Sequence, residues 1–191
     1  MSALPTQPLP PIKDRMTGRS ATAGAGLLFL HEDELRAAQD MIFFLFRDIN
    51  AQPDITLSEY GYGRAHHRCL HWIGRRPGLK VGALLMILGV TKQSLTRVLG
   101  PLITDGYVVQ TPGHKDRRQR LLTLTASGVE LERRLFEAQH ERLLHAYREA
   151  GAAAVEGFKR VVCALISSQG HQILDEAVEP PDLLISPPDK G

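Results

Sequence analysis

The sequence predicts a mainly α-helical fold that carries one small β-hairpin, in the element order α-α-α-α-β-β-α-α. Six stretches repeat apolar residues at steps of three and four, which is the period of a helix. Two β-prone runs, 107–110 and 120–124, flank nine polar residues and indicate the hairpin. The proline-rich ends, 1–25 and 179–191, have no such period, so both are predicted to be disordered tails.

The apolar stripes set the predicted bounds of the helices. In chain order, these bounds are about 31–50, 58–74, 81–88, 92–105, 125–150 and 152–178. Pro53 and Asp54 are expected to break the chain after the first helix, and Gly151 is expected to separate the last two. Gly100 and Pro101 lie inside the fourth helix, where proline removes a backbone hydrogen bond and clashes with the preceding turn, so either a cost of ~3 kcal/mol or a kink is expected there.

The third and fourth predicted helices are joined by a turn of three residues, 89–91, which is typical of a helix-turn-helix. In the fourth helix the apolar residues share one face, and polar residues crowd the other side of its N-terminal end. That end of the motif enters the major groove of DNA, where glutamine and arginine can make paired hydrogen bonds with base edges. The candidate DNA-contacting residues are the N-cap Thr91 together with Lys92, Gln93, Ser94, Thr96 and Arg97.

The loop of the predicted hairpin is strongly basic, because four Lys and Arg surround one Asp between residues 114 and 120. A charge run is usually only a solvated face, but this one follows a helix-turn-helix and lies between two β-prone runs. An arginine at such a tip fits a narrow minor groove, so the hairpin is interpreted as a wing and the fold as a winged helix-turn-helix. Its candidate DNA-contacting residues are His114, Lys115, Asp116, Arg117, Arg118 and Arg120.

The charge distribution also favours binding to a polyanion. The 191-residue chain has a net charge of only +2, but residues 56–124 hold eleven Lys and Arg against three Asp and Glu. The flanking segments, 26–55 and 125–174, together hold eight against twelve. Two cysteines in apolar patterns, Cys69 and Cys163, fit a reducing compartment. With neither a signal peptide nor a membrane-spanning run in the sequence, a soluble, cytoplasmic protein that binds no membrane is expected.

Two segments of the chain resemble the MarR family of bacterial transcription regulators. They are LLMILGVTKQSLTRVLGPLITDGYVVQ and DRRQRLLTLTASG. The Asp-x-Arg wing, the strand after it and the Leu-Thr-x-x-Gly helix start are, in that order, specific for this family. The resemblance covers about residues 27–178, and the stretch GYGRAHHRCLHWIGRRPGL is similar to the PetP-type branch.

The resemblance implies a homodimer in which the first helix and the last two helices of each subunit interlock. Residues 26–55 and 125–178 would form the helical dimerisation region, and residues 56–124 the winged helix-turn-helix DNA-binding region. Each subunit would read half of a pseudo-palindromic operator in double-stranded DNA, with Arg118 as the wing-tip arginine and Asp116 as the acid that positions it. Family members often respond to ligands bound near the first, second and fifth helices, so a small-molecule effector is expected.

Three residues of the second helix, His67, His71 and Trp72, are candidates for a ligand pocket. The two histidines lie four residues apart, a spacing that can bind a metal, but two ligands do not make a site, so no metal or cofactor is predicted. Two alternatives stay open: a constitutive DNA-binding activator or architectural protein without a ligand, and a metal- or haem-responsive regulator that uses these histidines. An enzyme is not expected, because the chain has neither a glycine-rich phosphate loop nor a nucleophile motif.

Overall fold

The computed structural model describes residues 32–113 and 116–178. Both predicted tails, and His114 and Lys115 of the wing loop, lie outside the described residues. The described residues fall into two compact units, one of residues 32–41 and one of residues 42–113 and 116–178. In the first unit, residues 32–41 are helical, and Arg36 Nε donates a hydrogen bond to the Glu32 carboxylate one turn earlier at 2.9 Å.

The described residues contain six α-helices and three short strands. In chain order, they are α1 (Glu32–Ser58), α2 (Arg64–Arg75), β1 (Leu79–Lys80), α3 (Val81–Leu88), α4 (Lys92–Thr104), β2 (Val108–Pro112), β3 (Arg120–Leu124), α5 (Ala126–Leu165) and α6 (Ser168–Val178).

The three strands form one antiparallel sheet in the order β1-β3-β2. Strands β2 and β3 are the predicted hairpin, with Val108 opposite Leu124. The sequence does not predict β1, because a strand of two residues is too short to show an alternating pattern. It pairs Leu79 with Leu122 and so fixes the hairpin to the segment just before α3.

The hydrophobic core of the chain lies between residues 53 and 135. Its fully buried large side chains include Leu57, Leu70, Ile73, Leu84, Leu102, Leu122 and Leu135. Cys69, one of the two cysteines in apolar patterns, is buried in this core, and burial raises the pKa of its thiol to about 12. Cys163 also lies in an apolar pattern, but it is exposed in the single chain, where its apolar neighbours on α5 are themselves uncovered.

Helix α1 continues through Pro53 to Ser58, so the predicted break at Pro53 and Asp54 is wrong. Proline at this position cannot donate a hydrogen bond to the carbonyl of Ile49, four residues earlier. Gln139 of α5 supplies a substitute donor, because its Nε2 lies 3.4 Å from that carbonyl oxygen. A side chain from a distant helix therefore compensates for the proline.

Helix α2 begins at Arg64 rather than near Ser58, because residues 59–63 form a turn. Gly61 has a φ of +70°, which favours glycine, and the Tyr62 N–H donates to the Leu57 carbonyl at 2.9 Å.

The predicted interruption at Gly151 is confirmed, with φ at 77° and ψ at 164° in the middle of α5. The continuous helix predicted over 152–178 is wrong, because a second break at Ile166 separates α5 from α6. Ser167 explains the new helix start, since its Oγ accepts a hydrogen bond from the Gly170 N–H at 3.2 Å.

Much of α1 and α5 leaves its apolar side chains uncovered. In the single chain, no residue of α1 before Pro53 and none of α5 after Leu135 is buried. Phe43 is 67% exposed and Leu165 is 68% exposed. None of the described helices combines the length and apolarity that a bilayer crossing needs.

Candidate nucleic-acid interface

The turn between α3 and α4 depends on one glycine and one threonine. Gly89 ends α3 in the left-handed conformation with φ at 62°, and its N–H donates back to the last turn of that helix at 3.0 Å. Thr91 caps α4 as predicted, because its Oγ1 accepts a hydrogen bond from the Ser94 N–H at 3.2 Å. Arg68 of α2 donates from Nη2 to the Leu88 carbonyl at 2.9 Å and holds the turn against α2.

Helix α4 buries its apolar side and exposes its polar N-terminal side. The buried residues are Leu95, Leu99 and Leu102. The exposed residues of the N-terminal end are Lys92, Gln93, Ser94, Thr96 and Arg97. The Thr96 hydroxyl donates to the Lys92 carbonyl at 2.9 Å, so it is engaged within the helix. Within the described part of the chain, the side chains of Lys92, Gln93 and Arg97 form no hydrogen bond or ion pair.

Helix α4 continues through Gly100 and Pro101 to Thr104, and the polar end lies before the proline. Pro101→Ala is expected to raise the free energy of unfolding by at least about 1 kcal/mol, because alanine restores an N–H donor to the helix and the exposed proline ring adds nothing to the core. Urea denaturation checks this change. Pro112→Ala in the hairpin restores no helical bond and serves as the control. A Pro101→Ala protein no more stable than wild type contradicts the prediction.

Asp116 closes the wing loop through backbone hydrogen bonds. Its Oδ1 accepts from the Arg118 N–H at 2.9 Å, and its carbonyl accepts from the Gln119 N–H at 3.0 Å. The Gln119 carbonyl in turn accepts from the Gly113 N–H at 3.0 Å. Asp116 thus orders the backbone of Arg118, and the side chains of Arg117 and Arg118 stay exposed.

A cleft of about 730 Å³ lies between α3, α4 and the hairpin. Lys92 of α4 lines it together with Arg118 and Arg120 of the wing, so the structure brings the two predicted DNA-contacting segments together. Lys80 and Gln110 also line this cleft. Neither residue can be predicted from the sequence, because their place beside the wing depends on the pairing of β1 and β2 with β3.

The three ligand-pocket candidates lie on α2, and one of them contacts α5. His71 Nδ1 is 3.8 Å from Glu132 Oε1, and its ring meets Trp72 edge to face with 5.4 Å between centroids. Burial, followed by the charge of His71, lowers the pKa of His67. In the part of the chain that the structure describes, no group of three or more His, Cys, Asp or Glu is placed to hold a metal ion.

A capped recognition helix beside a basic hairpin defines a winged helix-turn-helix DNA-binding protein. The chain belongs to the MarR family of transcriptional regulators. The MarR family model matches residues 60–119. The chain is also 47% identical over 165 residues to the HTH-type transcriptional regulator PetP of Rhodobacter capsulatus, an alignment that covers 85% of this chain and 99% of that protein. This is a family of transcriptional regulators, not of enzymes.

Solved structures share the fold. FabT of Streptococcus pneumoniae in complex with DNA aligns with a TM-score of 0.58 at 18% identity, over 74% of this chain and 98% of that one. A mutant MarR from E. coli complexed with operator DNA aligns with a TM-score of 0.56 at 20% identity, over 74% of this chain and 100% of that one. The predicted fold class, a mainly helical winged helix-turn-helix, is confirmed.

Proposed function

We propose that the chain is a sequence-specific, dimeric transcription regulator that binds two half-sites of double-stranded DNA through α4 and the wing. The observation that carries the proposal is the polar end of α4, where Lys92, Gln93 and Arg97 have no partner among the described residues and Lys92 shares a cleft with Arg118. These residue types bind base edges and phosphates.

The proposed contacts divide between the two grooves. The major-groove set is Thr91, Lys92, Gln93, Ser94, Thr96 and Arg97. Because the Thr96 hydroxyl is engaged within the helix, base reading falls mainly on Gln93 and Arg97, while Lys92 suits a phosphate. The minor-groove set is His114, Lys115, Asp116, Arg117, Arg118 and Arg120. Within it, Asp116 acts indirectly by ordering the backbone of Arg118.

The proposed dimerisation region consists of residues 26–55 and 125–178, and residues 56–124 bind DNA. Support comes from the long stretches of α1 and α5 that bury no side chain in the single chain. Their exposed large apolar residues include Ile42, Phe43, Phe46, Phe136, Phe158, Val161 and Leu165. Apolar surface this extensive is rarely left to solvent, and a second copy supplies a matching surface through two-fold symmetry. Such a dimer places its two recognition helices about one DNA turn apart.

A small-molecule effector is proposed to bind between α1, α2 and α5, near His67, His71 and Trp72. Helix α5 contacts both neighbours in this region, through Glu132 beside His71 and through Gln139 beside Ile49. An effector that binds one spacing of the two wings more tightly would change the affinity for DNA. A constitutive regulator would show the same affinity with every compound tested.

Arg118→Ala is expected to weaken DNA binding about 30-fold or more, because each of two subunits loses a groove contact worth about 1–3 kcal/mol. The slope of log affinity against log salt concentration should also fall by about 2. Fluorescence anisotropy over a salt series measures both quantities, using a duplex enriched by the wild-type protein from a random-sequence library.

Arg148→Ala is the matched control, because it removes the same charge from an exposed position on α5. Its affinity should stay within about twofold of wild type once light scattering shows that it is still a dimer, as expected for a surface charge outside both sets of proposed DNA contacts. Equal losses of DNA affinity in Arg118→Ala and Arg148→Ala would contradict the proposed role of the wing. Wild-type binding that does not weaken with salt would overturn the proposed function.

A further inference from the structure

A buried tyrosine contacts the C-terminal end of the recognition helix. Tyr62, in the turn between α1 and α2, is 9% exposed. Its hydroxyl donates a hydrogen bond to Asp105 Oδ2 at 2.6 Å, and Asp105 is the C-cap of α4. Burial, and then this hydrogen bond, raises the pKa of Tyr62, so its phenol remains a donor at physiological pH.

The position of Tyr62 is set by the core around it. Its ring stacks on His66 of α2 at 4.6 Å between centroids and meets the Tyr107 ring edge to face at 5.8 Å. Its N–H donates to the Leu57 carbonyl of α1 at 2.9 Å. These partners belong to three different parts of the chain, so they fix the position of the Tyr62 side chain. The Tyr62 hydroxyl can therefore hold Asp105 in place.

The same end of α4 is also joined to α5. Thr125 Oγ1 donates to the Gly106 carbonyl at 2.6 Å, and the Thr125 N–H donates to the Tyr107 carbonyl at 3.0 Å. These bonds hold the chain just after α4 against α5. The hydrogen bond from Tyr62 to Asp105 adds a contact to the α1–α2 turn.

We propose that Tyr62 is a positioning residue for DNA recognition, which sets the angle of α4 through Asp105 and thereby places Gln93 and Arg97 in the groove. The inference rests on the proposed function. A helix of 13 residues is about 20 Å long, so a tilt of about 3° at one end moves the other by about 1 Å. Hydrogen bonds to base edges do not tolerate a displacement of that size.

The test compares two duplexes, one enriched from a random library by the wild-type protein and one of the same composition with its sequence permuted. Tyr62→Phe removes the hydroxyl and keeps the ring. It should lower affinity for the enriched duplex about 100-fold, because each of two subunits loses a hydrogen bond to a charged group that is worth about tenfold. Affinity for the permuted duplex should stay within about twofold, because that binding depends on phosphate contacts.

The chain offers a matched control in Tyr60, whose ring centroid lies 6.4 Å from that of Tyr62. Its hydroxyl is bonded to α5 and not to α4, because it accepts a hydrogen bond from Arg134. Tyr60→Phe should therefore keep the wild-type preference between the duplexes. Asp105→Asn keeps an acceptor oxygen but loses the charge, so it should retain part of the preference, whereas Asp105→Ala should lose it as Tyr62→Phe does.

Thermal denaturation of each variant separates positioning from simple stability. Losses that are equal for the two duplexes and follow the melting temperature would overturn the inference. An unchanged preference in both Tyr62→Phe and Asp105→Ala would also overturn it. A wild-type protein that binds the two duplexes equally would overturn the proposed function, and the inference would fall with it. The wild-type measurement therefore distinguishes a failure of the proposed function from a failure of the inference alone.

Discussion

Gly128→Ala is expected to lower the free energy of unfolding by more than about 3 kcal/mol. Gly128 is buried in the first turn of α5, and a Cβ atom there would lie 2.0 Å from the Tyr107 carbonyl oxygen. That oxygen is held in place because it accepts the Thr125 N–H at 3.0 Å. Thr125 in turn caps α5 by accepting the Gly128 N–H on Oγ1 at 3.1 Å. The added methyl group must therefore push α5 away from the end of α4.

Thermal denaturation measures this effect, and a fall in the melting temperature of roughly 6–12 °C corresponds to that loss for a chain of this size. Gly82→Ala is the matched control, because Gly82 lies within α3 and an added Cβ atom has nothing within 4 Å. That variant should be as stable as wild type or up to about 1 kcal/mol more stable. A Gly128→Ala protein with wild-type stability would contradict the close packing of α5 on Tyr107.

Phe43→Asp is expected to dissociate the proposed dimer. Phe43 is 67% exposed in the single chain, and an aspartate there would be buried without a partner in the interface between two copies. Light scattering after size exclusion should show the mass fall from twice the chain mass of 21.1 kDa to the chain mass itself. Affinity for the enriched duplex should fall at least about 100-fold, because each monomer binds one half-site without the second.

Met86→Asp is the control for the charge alone. Met86 is also a largely exposed apolar residue, but it lies on α3 in the winged helix, so its substitution should leave the dimer mass unchanged. Phe43→Leu keeps an apolar side chain and should remain dimeric. A Phe43→Asp protein of wild-type mass, or a wild-type protein that is already monomeric, would contradict the proposed interface.

The helix-turn-helix and the hairpin can be predicted from the sequence because their signals are local. The turn of the helix-turn-helix is defined by Gly89 and Thr91, which lie within a segment of three residues. The start of α5 is defined by Thr125 and Gly128, which lie within a segment of four. Each of these signals acts on the backbone next to it. The bounds of these elements therefore agree closely with the structure.

The features that the sequence does not predict depend on residues far apart in the chain. Proline ordinarily ends a helix, and the rule fails at Pro53 because Gln139 supplies the missing donor. The hydrogen bond between Tyr62 and Asp105 joins positions 43 residues apart. No local pattern marks either partner, since tyrosine and aspartate are common at turns and helix ends.

The hydrogen bond from Gln139 to the Ile49 carbonyl also bears on the order in which the chain folds. The two residues are 90 positions apart, so α1 leaves the ribosome long before its donor for that carbonyl exists. Until then the helix lacks a hydrogen bond beside Pro53, and closing so long a loop is slow. Helix α1 is thus synthesised well before the hydrogen bond that completes it can form.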